Sequence, residues 1–180
     1  MNQRRTREIK INNIGIGGNN PIVVQSMAAT RTTDTDKTIE QINSLHKAGA
    51  KIVRLAIDSK KDVEALKVIR EQTTVALSAD LQENYRLIKD IAPYIDKVRY
   101  NPGHLHHHER TKSIKDKVSM IAEEASNNNL AIRIGVNCGS VDPVLKEKFD
   151  DDVEAMVESA SQHCQILENL GFKNYLVSLK

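Results

Sequence analysis

Tryptophan is missing from this 180-residue sequence, and phenylalanine and tyrosine bring the aromatic share to only 3%. Few rings are available on which bases could stack. A net charge of +2 at pH 7 supplies no broad basic surface for a nucleic-acid backbone. Nucleic acid is therefore not expected as a partner, and any positive character that matters must be local. Cysteine is also scarce. Cys138 and Cys164 are too few and too far apart for a disulfide framework or a conventional zinc site, and they suit a reducing compartment. Long apolar runs are lacking too. The stretches at residues 22–24 and 176–177 fall far short of the roughly 20 residues a bilayer-spanning helix needs, so no membrane span is expected. The basic start, residues 1–10, runs into Ile-Asn-Asn-Ile-Gly rather than an apolar core, which does not read as a signal peptide. The cytoplasm is the expected location.

What is present is an ordinary globular composition, 39% hydrophobic and 28% charged, of a length that fits one domain. Short β-branched runs alternate with longer 3.6-period segments, the pattern of parallel strands joined by helical crossovers. The pattern predicts strands at 22–27, 51–56, 75–80, 97–101, 131–137 and 174–180. It predicts helices at 34–48, 59–70, 112–127 and 153–170, with a short one at 84–91. Gly49 and Gly171 stand where helix C-terminal caps belong. Six such steps suit either a doubly wound sheet or a (β/α)8 barrel. No Gly-x-Gly-x-x-Gly follows the first strand, and residues 7–18 read as a hairpin turning at Asn12-Asn13, a plug for a barrel's bottom. A full barrel takes about 250 residues. The expectation is an α/β chain, a TIM (β/α)8-type barrel reaching its sixth strand, with residues 1–180 forming one incomplete substrate-binding domain.

Strands buried on both faces are normally continuous hydrophobics, yet five of these six carry charged residues. Period-two alternation puts Arg54 with Ala56, Ser78 with Asp80, Arg99 with Asn101, Arg133 with Gly135 and Asn137, and Ser178 with Lys180. If that face lines a barrel, four cations, Arg54, Arg99, Arg133 and Lys180, converge near its C-terminal rim against one carboxylate, Asp80. Such an excess asks for an anion. Guanidinium forks bind phosphate oxygens bidentately, so a phosphorylated ligand fits. The bland alternative is three unrelated strand arginines that snorkel or pair with helix carboxylates. His104, His106, His107 and His108 crowd one loop without regular metal-ligand spacing, and a solvated loop is favoured over a metal site. Cys138, with no histidine base nearby in sequence, reads as a structural thiol, and Cys164 as a core residue. The run from Lys146 to Asp152 reads as a solvated face.

Four strings carry a resemblance: Pro-Ile-Val-Val-Gln-Ser-Met at 21–27, Val-Arg-Tyr-Asn-Pro-Gly at 98–103, Ile-Arg-Ile-Gly-Val-Asn-Cys-Gly-Ser at 132–140 and Val-Ser-Leu-Lys at 177–180. In this order and spacing they resemble the 4-hydroxy-3-methylbut-2-enyl diphosphate synthase family over essentially the whole chain. The resemblance implies reductive ring opening and dehydration of 2-C-methyl-D-erythritol 2,4-cyclodiphosphate in the methylerythritol phosphate pathway of isoprenoid biosynthesis, with electrons from ferredoxin or flavodoxin. It implies that Arg54, Arg99, Arg133, Asn137 and Lys180 hold the cyclic diphosphate. It further implies a 4Fe-4S cluster on three cysteines and a glutamate of a C-terminal domain not found in these 180 residues. That domain would cap the partner's barrel in a homodimer.

Asp80 and Gln82 are the candidate catalytic residues. Where the family pattern has Ile-His after this aspartate, the sequence reads Leu81-Gln82. An amide orients but cannot titrate, which leaves the His104–His108 loop as a substitute proton source. Two other readings stay open: a pterin-dependent or aldolase-like phosphate-binding barrel enzyme, with Lys180 the candidate Schiff-base lysine, and a non-catalytic fragment.

Overall fold

Three of the long crossover helices start where a short polar side chain captures the backbone. The computed structural model describes residues 6–180, so the first half of the basic N-terminal stretch lies outside the described residues. A hairpin, β1 (Ile9–Ile11) and β2 (Ile14–Ile16), precedes β3 (Gln25–Met27), α1 (Thr35–Lys47), β4 (Ile52–Ile57), α2 (Lys60–Glu71) and β5 (Ala76–Leu81). Then follow α3 (Ile88–Ile91), β6 (Lys97–Tyr100), α4 (Ile114–Asn127), β7 (Ala131–Val136), α5 (Pro143–Lys146), α6 (Asp152–Asn169) and β8 (Tyr175–Leu179). Ser59 caps α2 in a reciprocal box with Asp62, Ser113 accepts from the Asp116 N–H to open α4, and Asp151 accepts from the Val153 N–H to open α6. Those caps move the start of α4 to Ile114, two residues later than the apolar pattern predicts. Gly49 and Gly171 adopt the positive φ of helix-ending glycines, as expected.

The six parallel strands lie in the order β3-β4-β5-β6-β7-β8. A doubly wound sheet reverses its order at a switch point; here each strand simply adds to the last. The sheet also curls, because Gln25 on its first strand bonds Lys97 on its fourth across the inner face. The expectation of a (β/α)8-type barrel carried to the sixth strand is met. The hairpin pairs Ile9 with Ile16 and Ile11 with Ile14, and its Ile9 and Ile11 form a separate apolar cluster with Ile52, Ala76 and Ala131 at the bottom of the barrel. The outer face packs on the helices through Val53, Leu55, Leu77, Val98, Ile132 and Ile134.

Two expectations need correction. The first strand is shorter than residues 22–27: ladder pairing covers only Gln25 to Met27, Pro21 has no N–H to donate, and Ile22 is 98% exposed. The segment predicted as one helix at 84–91 is a 3-10 turn, Tyr85–Leu87, followed by the single turn of α3. The flanking strands β3 and β8 each pair on one side only. Val24 beside β3 and Val177 and Leu179 on β8 are exposed along those edges.

On the outer face, the Tyr100 hydroxyl lies 3.1 Å from Nδ1 of His163, which α6 carries into the core at 5% exposure. Burial first, then His106, push the His163 imidazole down to about 4. The folded chain thus keeps it neutral while the unfolded chain protonates below its ordinary 6.5. Stability contributed by this site is intact above pH 6.5 and falls as the pH drops toward 4, by up to about 1.4 kcal/mol per pH unit. Urea unfolding midpoints measured from pH 7 to 4 should show that slope, and His163→Phe should flatten it.

Candidate functional site

Register carries the inner-face side chains round the barrel in two adjacent rows. One row runs Met27, Arg54, Ser78, Lys97, Ala131, and the next Ala56, Asp80, Arg99, Arg133, Leu176. Large cations alternate with small or short residues along the first row, while Arg99 and Arg133 stand side by side in the second. At the centre Asp80, buried to 3%, accepts from Arg99 Nη1 at 2.9 Å, and its other oxygen lies 3.5 Å from Arg54 Nε. The Arg54 contact is an ion pair without hydrogen-bond alignment, for Arg54 Nε is buried with no hydrogen-bond partner. Arg99 Nη2 donates to the Gly135 carbonyl at 3.0 Å.

Arg133 differs from its neighbours. Its Nε donates to Ser178 Oγ at 2.9 Å, and among the described residues no carboxylate pairs with it. Burial, then Arg54 and Arg99, lower its affinity for its proton. An arginine cannot discharge that strain by deprotonating near neutrality, so it favours an anion beside it.

These groups wall a cavity of about 690 Å³ whose lining includes Asn137, Lys180, Gln82 and His104 at the rim. Asp80 is the one acidic side chain among its lining residues. Lys180 is set beside Asn137 by backbone bonds: its N–H donates to Val136 O at 3.1 Å and its carbonyl accepts from Cys138 N at 2.8 Å. His104 Nδ1 meets the Gln82 carbonyl, which can only accept, so Nδ1 carries the hydrogen and Nε2 is left without a partner among the described residues. The ring stacks on His107 at 5.3 Å, and His107 Nδ1 lies 2.6 Å from Glu83. That imidazole holds the Glu83 carboxyl below its usual range. The Lys117 ammonium anchors the loop beneath by donating to the Leu105 and His108 carbonyls.

Residues 6–180 match the family model of the GcpE TIM-barrel domain. The chain belongs to that family. It is similar to the 4-hydroxy-3-methylbut-2-en-1-yl diphosphate synthase (flavodoxin) of Rhodopirellula baltica, 54% identical over 97% of this chain and 46% of the relative. A protein of the same name from Fusobacterium nucleatum is 42% identical over 99% of this chain and 49% of the relative. The chain thus spans about half the length of these curated relatives. Its fold is like that of Yersinia pestis dihydropteroate synthase, with a TM-score of 0.66 at 13% identity, covering 94% of this chain and 61% of that one. Plasmodium falciparum HPPK-DHPS gives 0.69 at 11%, covering 96% of this chain and 35% of that one. At such identities the likeness is of fold alone.

All seven residues singled out in the sequence, Arg54, Asp80, Gln82, Arg99, Arg133, Asn137 and Lys180, line this one cavity. Asn101 does not: its amide donates to Ser140 Oγ at 2.7 Å behind the rim. Of the histidine loop only His104 reaches the cavity, while His106 pairs with Asp142 at 3.0 Å. Gln25 and Lys97 were not anticipated, although alternation from Arg99 places Lys97 on the same face as Ser178 and the arginines. An iron-sulfur cluster does not fit the described residues. Such clusters take several cysteine thiolates, and no group of three potential ligands occurs among the described residues. The Asp152 carboxylate pushes the Cys138 thiol up instead, and Cys164 sits half-buried near Tyr175, less enclosed than the core position expected.

Gly135 is the backbone condition for this arrangement. A Cβ there would lie 2.3 Å from Arg99 Nε, so any side chain must push Arg99 off Asp80. Gly135→Ala should lower stability by about 1–3 kcal/mol in urea unfolding. Gly139→Ala, whose added carbon would meet nothing within 4 Å, should change it by less than about 0.5 kcal/mol.

Proposed function

We propose that this chain is the substrate-binding barrel of a 4-hydroxy-3-methylbut-2-enyl diphosphate synthase and that its cavity holds 2-C-methyl-D-erythritol 2,4-cyclodiphosphate. The observation that carries the reading is the convergence of Arg54, Arg99, Arg133 and Lys180 on one cavity whose lining has a single carboxylate. A diphosphate supplies the missing negative charge, and guanidinium forks fix its orientation as well as its charge. The cavity is within the size range of small-molecule sites. Family membership and the names of the relatives support the same substrate class.

In this reading Arg133 and Lys180 take the phosphoryl oxygens, Asn137 donates at the rim, and Arg54 and Arg99 are held ready by Asp80. The whole protein performs the reductive ring opening and dehydration of isoprenoid biosynthesis as a cytoplasmic homodimer. Its electrons come from flavodoxin or ferredoxin through a 4Fe-4S cluster on residues outside those described. This barrel's part is binding and orientation, and no step of the electron transfer is assigned to its residues. Gln82 orients substrate, and His104, with Nε2 unengaged, presents a ring nitrogen to it from the cavity wall.

Titration calorimetry of the protein at its natural length with the cyclic diphosphate, at low ionic strength, tests the reading. Binding is expected, weakened at least about tenfold by Arg133→Ala, because a charge-assisted contact is worth roughly 1.5–3 kcal/mol. No binding, or Arg133→Ala indistinguishable from the parent, would overturn it. His104→Asn should leave this affinity within about threefold and lower turnover.

A further inference from the structure

Beneath the arginines lies a cation that the site as described does not use. Lys97 opens β6 on the inner face, in register with Ser78 of β5 and Ala131 of β7, and is 1% exposed. An ammonium has three hydrogens to donate. Among the described residues it reaches one acceptor, Gln25 Oε1, and Gln25 itself lines the cavity. Ser78 Oγ, its neighbour in register, is buried with no partner.

The charged groups around Lys97 are nearly all of its own sign. Arg54 comes from β4, Arg133 from β7 and Arg99 from its own strand, with His104 at the rim. The one carboxylate, Asp80 of β5, is already engaged by Arg54 and Arg99. The bottom of the barrel offers only Ile52, Ala76 and Ala131 with the hairpin isoleucines.

We propose that Lys97 is a positioning residue of the anion site, taking up a proton from solvent as an anionic ligand settles among the arginines. The inference rests on the anion-binding reading given above. A fourth cation in an interior already holding three guanidinium groups is costly. Burial first, then Arg133 and Arg54, push the Lys97 amine down to about 7. Above that pH the ligand-free barrel holds it mostly neutral. An anion beside Arg54 and Arg133 reverses the field at Nζ and restores the ammonium. Gln25 and the idle Ser78 hydroxyl are the acceptors nearest to hand. Solvent supplies the proton to the nitrogen lone pair, and no other bond forms or breaks.

The sign follows. Below about pH 7 the free protein already carries this proton, so binding takes up none. Above it, uptake accompanies binding, and affinity falls with rising pH by up to about tenfold per unit. The same depression means that the unfolded chain binds more protons between about pH 7 and its ordinary 10.5. Ligand-free stability should therefore rise with pH from 7 upward.

The test is calorimetry on the protein at its natural length with 2-C-methyl-D-erythritol 2,4-cyclodiphosphate. Each phosphoryl group of this ligand is esterified and anhydride-linked, so it has no proton to exchange near neutrality. Heats measured in buffers of differing ionisation enthalpy give the protons bound. At pH 8 more than about half a proton per ligand is expected, declining toward none at pH 6. Lys97→Met and, as a second variant, Lys97→Gln should still bind but without uptake, and their ligand-free melting temperatures should lose the rise between pH 7 and 9. Binding without uptake by the parent, or uptake that survives in both Lys97 variants and vanishes in His104→Asn, overturns the inference while leaving the anion site standing. Absence of any binding overturns both.

Discussion

Charge enclosed by low-dielectric walls must be matched or it destabilises the fold, and in this barrel the matching is done by one carboxylate. Asp80 contacts Arg54 of the adjacent row and Arg99, its neighbour in the row that also holds Arg133. It compensates part of the positive charge and leaves the rest unmet. Buried charges are usually tolerated only when paired, so the uncompensated part is the signature of a site whose remaining charge arrives with a ligand. A second aspartate on the inner face would make the fold more comfortable and the cavity less avid.

The backbone makes room for that economy. Arginine is long, and three of them fit one side of a curled sheet only because their same-face neighbours include Ala56 and Gly135 along the strands and Ser78 across them. Gly135 goes furthest, letting the Arg99 guanidinium lie against the strand and bond its carbonyl. Below, the hairpin isoleucines seal the bottom with apolar side chains, so the polar upper rows rest on a dry layer. The helices contribute through their other face, where Tyr100 and His163 meet.

Much of this was legible in the residues. Period-two alternation selected the inward side chains of β4 to β8 because charged residues in otherwise apolar strands have one plausible direction to face. Small residues beside large ones reinforced the choice. The reading lost accuracy where local and tertiary constraints part company. At 22–24 the residues are β-branched, yet the ladder begins only at Gln25. Lys97 looks like a solvated strand opening, and nothing local reveals that curling of the sheet brings Gln25 across the interior to cover it. Gln25 faces the cavity for the same tertiary reason. The placement of His104 depends on a carbonyl twenty-two residues earlier in the chain, at Gln82, a contact no spacing rule anticipates. The division of labour between cluster and barrel came from resemblance, not from periodicity.

Both edge strands of the sheet contribute to the cavity lining, β3 through Gln25 and Met27 and β8 through Ser178 and Leu179. Any strand that docks on either edge therefore becomes a wall of the ligand chamber at the same time. Edge pairing and ligand occupancy then share one free-energy cycle: whatever tightens the hold on the anion must, by reciprocity, tighten the hold on the docking strand. Affinity measured at this cavity would report on the closure of the barrel as much as on the arginines within it.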